Sequence, residues 1–259
     1  MQSAEQRNFI LSVLELKDAL LSDGKIDMAE SAVLLRLARP YVRNGVVPAI
    51  ELDRLLREVR EDGVVTPEES ARIIRLIDLV SDRNLLKLEE YVESIPDFPR
   101  PGVLFRDVTG VLDTAEGFRL ATDLFAKALN GVQFDAVVAL ESRGFIFGAA
   151  LADRLYKAFV PARKPGKLPR KTIEEEYALE YGTAKLQLHA DAILPGERVV
   201  IVDDLLATGG TSAAAARLVE RLGGTVAKMV FLIELAGFGA RTGVLSGYEV
   251  VSLVQYPGK

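Results

Sequence analysis

The string Val199-Val-Ile-Val-Asp-Asp-Leu-Leu-Ala-Thr-Gly-Gly-Thr-Ser212 restricts the fold of this chain more than any other stretch. Its four β-branched residues predict a buried strand, and Asp203 and Asp204 stand where that strand ends. A small-residue turn, Ala207-Thr208-Gly209-Gly210-Thr211, then opens an alanine-rich helix. Ligands of open α/β sheets bind beyond the carboxyl ends of strands, and a helix N-terminus offers unpaired N–H groups to a phosphate. Glycines let the backbone approach the anion, and the threonine hydroxyls add donors. The acidic pair suits ribose hydroxyls and a magnesium ion near a sugar phosphate.

The surrounding sequence carries the same alternation. Residues 136–140 and 159–162 read as apolar strands, with a Gly- and Ala-rich helix over 144–156 between them. Residues 198–202 form the central strand, 211–222 its helix, and 225–235 a further strand. Such alternation predicts an α/β domain, a mostly parallel sheet with helices on both faces. Ile95-Pro-Asp-Phe-Pro-Arg-Pro-Gly102 cannot be helical and is expected as an extended surface arm. Residues 163–182 are polar, with Lys164, Lys167, Arg170 and Lys171 ahead of Glu174-Glu175-Glu176. Twenty structureless residues inside a compact domain suggest a lid, although charge alone equally fits a solvated loop.

The chain before residue 84 reads differently. Apolar positions at helical spacing, Asp27 with Glu30, Pro48, and Thr66-Pro67-Glu68-Glu69 predict four helices, the second ending near Pro40. Asp-Gly-x-(Ile/Val)-x-x-x-Glu occurs at 23–30 and again at 62–69, so two helix–turn–helix units stand in tandem. The pattern resembles half of a calcium loop. Ala19 and Leu21, and Glu58 and Arg60 in the second copy, leave too few oxygens, so a tight turn pinned by Ile26 or Val65 is expected. The division is thus a four-helix accessory domain over 1–83 and a catalytic domain over 84–259. The first is similar to TerB-like helical domains associated with tellurite resistance. A protein partner for it, oligomerisation, or divalent-ion binding all remain open.

With 49% apolar residues the chain can build such cores, and without cysteine it has neither disulfides nor thiolate metal sites. A formal charge of −5 argues against a general nucleic-acid surface. No apolar run reaches membrane length and residues 1–8 are too polar for a signal peptide, so a cytoplasmic location is expected.

The 199–212 string resembles the phosphoribosyl-pyrophosphate (PRPP) signature of the type I phosphoribosyltransferases, and Leu-Leu-Ala-Thr-Gly-Gly-Thr is similar to its form in the adenine-using members. The resemblance runs from Glu90 to Gly258. It implies that 207–211 holds the 5′-phosphate and that Glu141-Ser142-Arg143-Gly144 is the pyrophosphate loop, with Ser142 and Arg143 as contacts. Arg163-Lys-Pro-Gly-Lys-Leu-Pro169 and Leu179-Glu-Tyr-Gly182 are similar to the two ends of the family's lid. Lys164 and Lys167 then neutralise pyrophosphate, Glu180 approaches the purine N7, and Tyr181 helps close the site. Leu104-Phe105-Arg106-Asp107 is similar to the base-reading segment, in which the backbone at Leu104 and Arg106 reads adenine and Phe105 packs on the ring. On its residues alone that segment also fits an amphipathic edge with a salt bridge.

The expected reaction is therefore adenine plus PRPP to AMP plus pyrophosphate, with Mg²⁺ carried by PRPP near Asp203 rather than held by a dedicated protein site. Asp203, Asp204, Arg143 and Glu180 are the catalytic candidates, and a homodimer is implied. Two other readings are a PRPP or nucleotide sensor in a stress response, motivated by the added helical domain, and a transferase for another base. His189, the sole histidine, reads as structural, and Glu234 has no assigned chemistry.

Overall fold

A computed structural model describes residues 2–178 and 182–258. Contacts divide the chain into two compact units, Met1–Glu90 and Tyr91–Lys259.

The first unit contains α1 (Gln2–Leu20), α2 (Met28–Arg43), α3 (Val47–Glu58), α4 (Pro67–Val80) and α5 (Arg83–Glu90). Both predicted capping boxes are present. Asp27 caps α2 with Glu30 reaching back, and Thr66 caps α4 with Glu69 doing the same. Pro48 occupies the first turn of α3. Pro40 does not end α2, which continues to Arg43. A proline here loses the bond from its own nitrogen and crowds the carbonyl one turn back, a cost opposed by the burial of Leu34 and Ala38 in the core. The two Asp-Gly turns are self-bonded, Asp23 accepting from the Lys25 amide and Asp62 from that of Val64. Ile26 is buried and its amide donates to Ser70 Oγ at 2.7 Å, which ties the first repeat's turn to the second repeat's helix. The first compact unit takes in α5 as well. Asp82 joins α5 to the end of α4, accepting from the amides of Asn84 and Leu85.

The second unit begins with β1 (Glu93–Pro96) and β2 (Leu104–Asp107), an antiparallel pair joined through the proline-rich segment. The expected arm is the exposed connection of this hairpin, with only Ile95 and Pro96 of it paired to β2. Next come α6 (Thr109–Leu112), α7 (Ala115–Ala128), β3 (Ala136–Leu140), α8 (Gly144–Arg154) and β4 (Ala158–Ala162). The hairpin β5 (Thr172–Ala178) and β6 (Thr183–His189) precedes β7 (Arg198–Leu206), α9 (Gly210–Arg221), β8 (Thr225–Leu235) and β9 (Val250–Tyr256).

In the described residues β4-β3-β7-β8-β9 make a parallel sheet with β7 at its centre. Val199 to Val202 are fully buried, as are Ala214, Ala215 and Ala216 of α9. Small side chains let that helix lie close on the sheet. The strand order reverses between β3 and β7. Their carboxyl ends therefore flank the crevice where a sheet of this kind binds ligands.

The region 163–182 departs from the structureless lid expected of it. Thr172–Ala178 is strand, paired with Thr183–His189, and only its charged appearance suggested a loop. Two of its three acids are paired. Glu174 accepts from Lys185, and Glu175 pairs with Arg217 at 2.6 Å and Arg221 at 3.1 Å on α9. His189 closes β6 opposite Thr172.

Candidate active site

The crevice between β3 and β7 is a cleft of about 340 Å³ lined by Glu141, Ser142, Arg143, Asp203, Asp204 and Leu205. Two loops predicted separately, one after each strand, thus face each other. The central strand runs four residues further than expected, to Leu206, so Asp203 and Asp204 lie within its carboxyl-terminal end.

Asp204 is buried, and its Oδ2 lies 2.6 Å from Arg143 Nε, an ion pair across the cleft rather than an aligned hydrogen bond. Asp203 is half-buried, with its Oδ1 accepting from the Asp204 amide at 2.9 Å. Burial, and next the Asp204 charge, hold the Asp203 carboxyl well above the usual carboxylate range, with Arg143 acting against them. The pair therefore resists carrying two full charges unless further positive charge arrives.

Gly144, the first residue of α8, packs directly on this pair. A Cβ there would lie 2.7 Å from Asp203 Oδ1 and 2.9 Å from the Val202 carbonyl oxygen. At the other loop, Gly209 has φ +79 and caps α9, a left-handed conformation that glycine adopts without strain. The peptide between Glu141 and Ser142 is cis.

Glu141 joins this cleft to the start of the lid region. Its carboxylate accepts from Arg163 Nε at 3.1 Å and from the Lys164 amide at 3.0 Å. Burial opposes its charge, yet Arg163 and Lys164 together hold the group below the usual glutamate range. Arg163 also pairs with Gln187 through the backbone, so the segment leaves β4 already fastened to β6. The side chains of Lys164 and Lys167 are exposed. Glu180 and Tyr181, with Leu179, lie outside the described residues.

The expected base-reading residues sit on β2. Leu104 is exposed, and Phe105 stacks edge-on against Phe98 with ring centroids 5.1 Å apart. Arg106 is held by Ser94 Oγ across the hairpin and lies 4.0 Å from the Tyr256 ring centroid. The Thr109 hydroxyl and amide, with a contribution from Arg143, lower the Asp107 carboxyl below its ordinary range, against burial. The charge of Arg143 thus reaches both the hairpin and the acidic pair. Neither Asp107 nor Glu141 carried a role in the sequence reading. An Asp-x-Thr turn was the signal for the first, whereas the second emerges only from packing. Groups of three or more His, Cys, Asp or Glu able to hold a metal do not occur among the described residues.

A parallel sheet that reverses at β3/β7, with an acidic pair before a Thr-Gly-Gly-Thr helix start and an Arg-bearing loop opposite, is the architecture of a phosphoribosyl-transfer site. Residues 107–249 match the phosphoribosyl transferase domain, and this chain belongs to that family. Within the family it is similar to adenine phosphoribosyltransferases. That of Lachnoclostridium phytofermentans is 56% identical over 173 residues, 67% of this chain and 99% of that protein. That of Chlorobium phaeovibrioides is 51% identical over 177 residues, 67% of this chain and all of its relative. The crystal structure of the Thermoanaerobacter pseudethanolicus enzyme superposes with a TM-score of 0.64 at 52% identity, covering 66% of this chain and 99% of that one. The Saccharomyces cerevisiae enzyme, complexed with adenine and an imino-altritol bisphosphate, gives 0.62 at 37% identity, covering 66% and 98%.

Proposed function

We propose that this chain transfers the phosphoribosyl group of PRPP to adenine, forming AMP and releasing pyrophosphate in purine salvage. The observation that carries this reading is the convergence of Ser142, Arg143, Asp203 and Asp204 on one cleft at the sheet's switch point, with the 207–211 segment following directly in sequence. The relatives and solved structures bearing that name support adenine as the base.

The chain's own residues divide the work. Ala207, Thr208, Gly209, Gly210 and Thr211 receive the 5′-phosphate at the N-terminus of α9. Ser142 and Arg143 receive pyrophosphate at the N-terminus of α8. Asp203 and Asp204 orient the ribose hydroxyls and face the positive charge that develops at C1 as its bond to pyrophosphate breaks. Leu104 and Arg106 present backbone groups to the adenine edge and Phe105 packs on it. Lys164 and Lys167 neutralise the departing group, and Glu180 and Tyr181 complete the closed site. Water exclusion by that closure protects PRPP from hydrolysis. Catalysis is then positioning and charge stabilisation, without a covalent enzyme intermediate.

The donor set fits Mg²⁺ delivered with PRPP. Two adjacent carboxylates that both line the cleft suit an ion that keeps most of its ligands from phosphate and water. Asp203 and Asp204 would stand nearest to it, and the ion would supply charge neutralisation for pyrophosphate.

The same reading places the protein in the cytoplasm. None of the described helices is long and apolar enough to cross a membrane. We read it as a homodimer on the strength of an apolar patch where α8 adjoins the edge strand β4. Ile146, Tyr156 and Phe159 are all exposed there, and the Phe145 and Phe159 rings touch. Light scattering tests the mass. Residues 1–83 are read as an accessory domain with a core of its own.

The deciding assay incubates the purified protein with PRPP, Mg²⁺ and adenine, hypoxanthine, guanine or xanthine, and measures nucleotide and pyrophosphate. AMP from adenine alone is expected. PRPP binding with no product from any base overturns this reading in favour of a sensor, and product from another base alone transfers it to that substrate.

A further inference from the structure

Glu234 and Arg241 lie outside the machinery assigned above, yet they stand at the same end of the sheet. Glu234 is 2% exposed near the carboxyl end of β8, and its register partner on β7 is Leu206, the residue directly before the 207–211 loop. Arg241 Nε donates to both Glu234 oxygens at 3.0 and 2.9 Å, and Nη2 donates to Oε2 at 2.7 Å. The same guanidinium reaches the Val250 carbonyl and, at 3.1 Å, Ser252 Oγ. It thereby fastens the turn over residues 239–248 to the end of β8 and the start of β9 together.

That turn is the wall behind Gly209. A Cβ on Gly209 would lie 3.0 Å from both Ala240 Cβ and Val244 Cγ2, and 3.2 Å from Leu245 Cδ1. Ala240, next in sequence to the arginine, is buried, as is Leu245. The amide from Leu245 to the Ala240 carbonyl, at 3.0 Å, closes the turn on itself. Gly209 accepts the amide of Ala213 into the first turn of α9, so whatever Gly209 leans on sets the direction of that helix start. An apolar pair would stabilise a buried site such as 234/241 as well as an ion pair does. A guanidinium adds a rigid fork of donors that holds several backbone and side-chain acceptors in one geometry.

We propose that Arg241, held by Glu234, is a positioning residue for the phosphate loop. It fixes the wall against which Gly209 rests, and so aims the N–H groups of 209–211 at the 5′-phosphate of PRPP. The proposal rests on the reading of 207–211 as the phosphate loop.

The experiment varies PRPP and adenine separately in steady-state kinetics of the full chain and its Arg241→Met, Arg241→Lys and Val244→Ala variants, with melting temperatures in parallel. Arg241→Met is expected to raise the KM for PRPP about ten- to a hundredfold and to leave that for adenine within about twofold, with Arg241→Lys between it and the native enzyme. Val244 is exposed and makes the Gly209 contact without touching the ion pair. Its alanine variant is expected to melt normally and to raise the PRPP KM about two- to fivefold. Unchanged PRPP KM in these variants, or equal rises for both substrates, overturns the proposal. If Arg241→Met does not fold, the other two variants decide on the same readout. A native protein that neither binds PRPP nor turns it over defeats the functional reading itself, which the native kinetics alone reveal.

Discussion

Arg143 Nε and Asp204 Oδ2 are 2.6 Å apart, so the cation assigned to the leaving group and an anion assigned to the ribose hold each other across the cleft. Substrate must insert between them or share them, which makes their spacing part of the site. Asp204→Ala frees the guanidinium and removes one of the charges facing the developing cation at C1. Turnover is expected to fall by about two orders of magnitude or more, with circular dichroism unchanged. Near-native turnover would remove Asp204 from the chemistry.

Gly144→Ala tests how closely the two loops must approach. The added methyl would sit 2.7 Å from Asp203 Oδ1 and 2.9 Å from a backbone carbonyl of β7, and the carbonyl cannot step aside. A loss of about 1–3 kcal/mol in stability is expected from overpacking, together with reduced turnover as Asp203 is displaced. Urea unfolding and an AMP-formation assay read the two effects. A variant native in both would mean that α8 slides along the sheet freely.

The parallel sheet and its two loops were legible because each strand is a short β-branched or apolar run ending in unusual polar chemistry, as at Val199–Asp204 and Ala136–Arg143. Capping boxes at Asp27 and Thr66 were equally plain, since their partners are three residues away. What the sequence hid was pairing at long range. The 172–178 strand looked like loop because Glu174 and Glu175 are neutralised by Lys185 and by Arg217 and Arg221 of α9, none of which is a near neighbour in sequence. The pairing of Ile95 and Pro96 with β2 was hidden for the same reason. Helix α7 and strand β9 were not anticipated, and without β9 the Glu234–Arg241 clamp could not be seen. Of the site, the loops were readable and their contacts were not. Glu141 and Gly144 matter through partners 22 and about sixty residues away.

Tyr248 offers a measurement on the same turn from its far side. Its hydroxyl donates to Glu220 Oε1 at 2.8 Å, and burial followed by that bond raises the phenol to about 12. The folded state thus keeps this proton more tightly than the unfolded chain, whose phenol titrates near ~10. Its contribution to stability is complete below the unfolded value and is lost as pH rises through the folded one. Near-ultraviolet titration should show a late tyrosinate component that Tyr248→Phe removes. A variant with an unchanged titration curve would show that Tyr248 ionises with the other tyrosines.

Glu141 gives the opposite sign at the acid end. Burial acts to raise its carboxyl, but the Arg163 hydrogen bond, the Lys164 amide and both charges outweigh burial and hold it low. The unfolded chain therefore takes up this proton at higher pH than the folded protein does. The stabilising contribution is present above the ordinary glutamate value of about 4.3 and is lost as pH falls through the folded value. Urea unfolding of the native protein and of Glu141→Gln, compared across pH, should show a stability gap that is steady near neutrality and closes in acid below about pH 4. A gap that persists undiminished in acid would mean that the Glu141 charge, and so its clamp on Arg163, contributes nothing to holding the start of the lid region against the cleft.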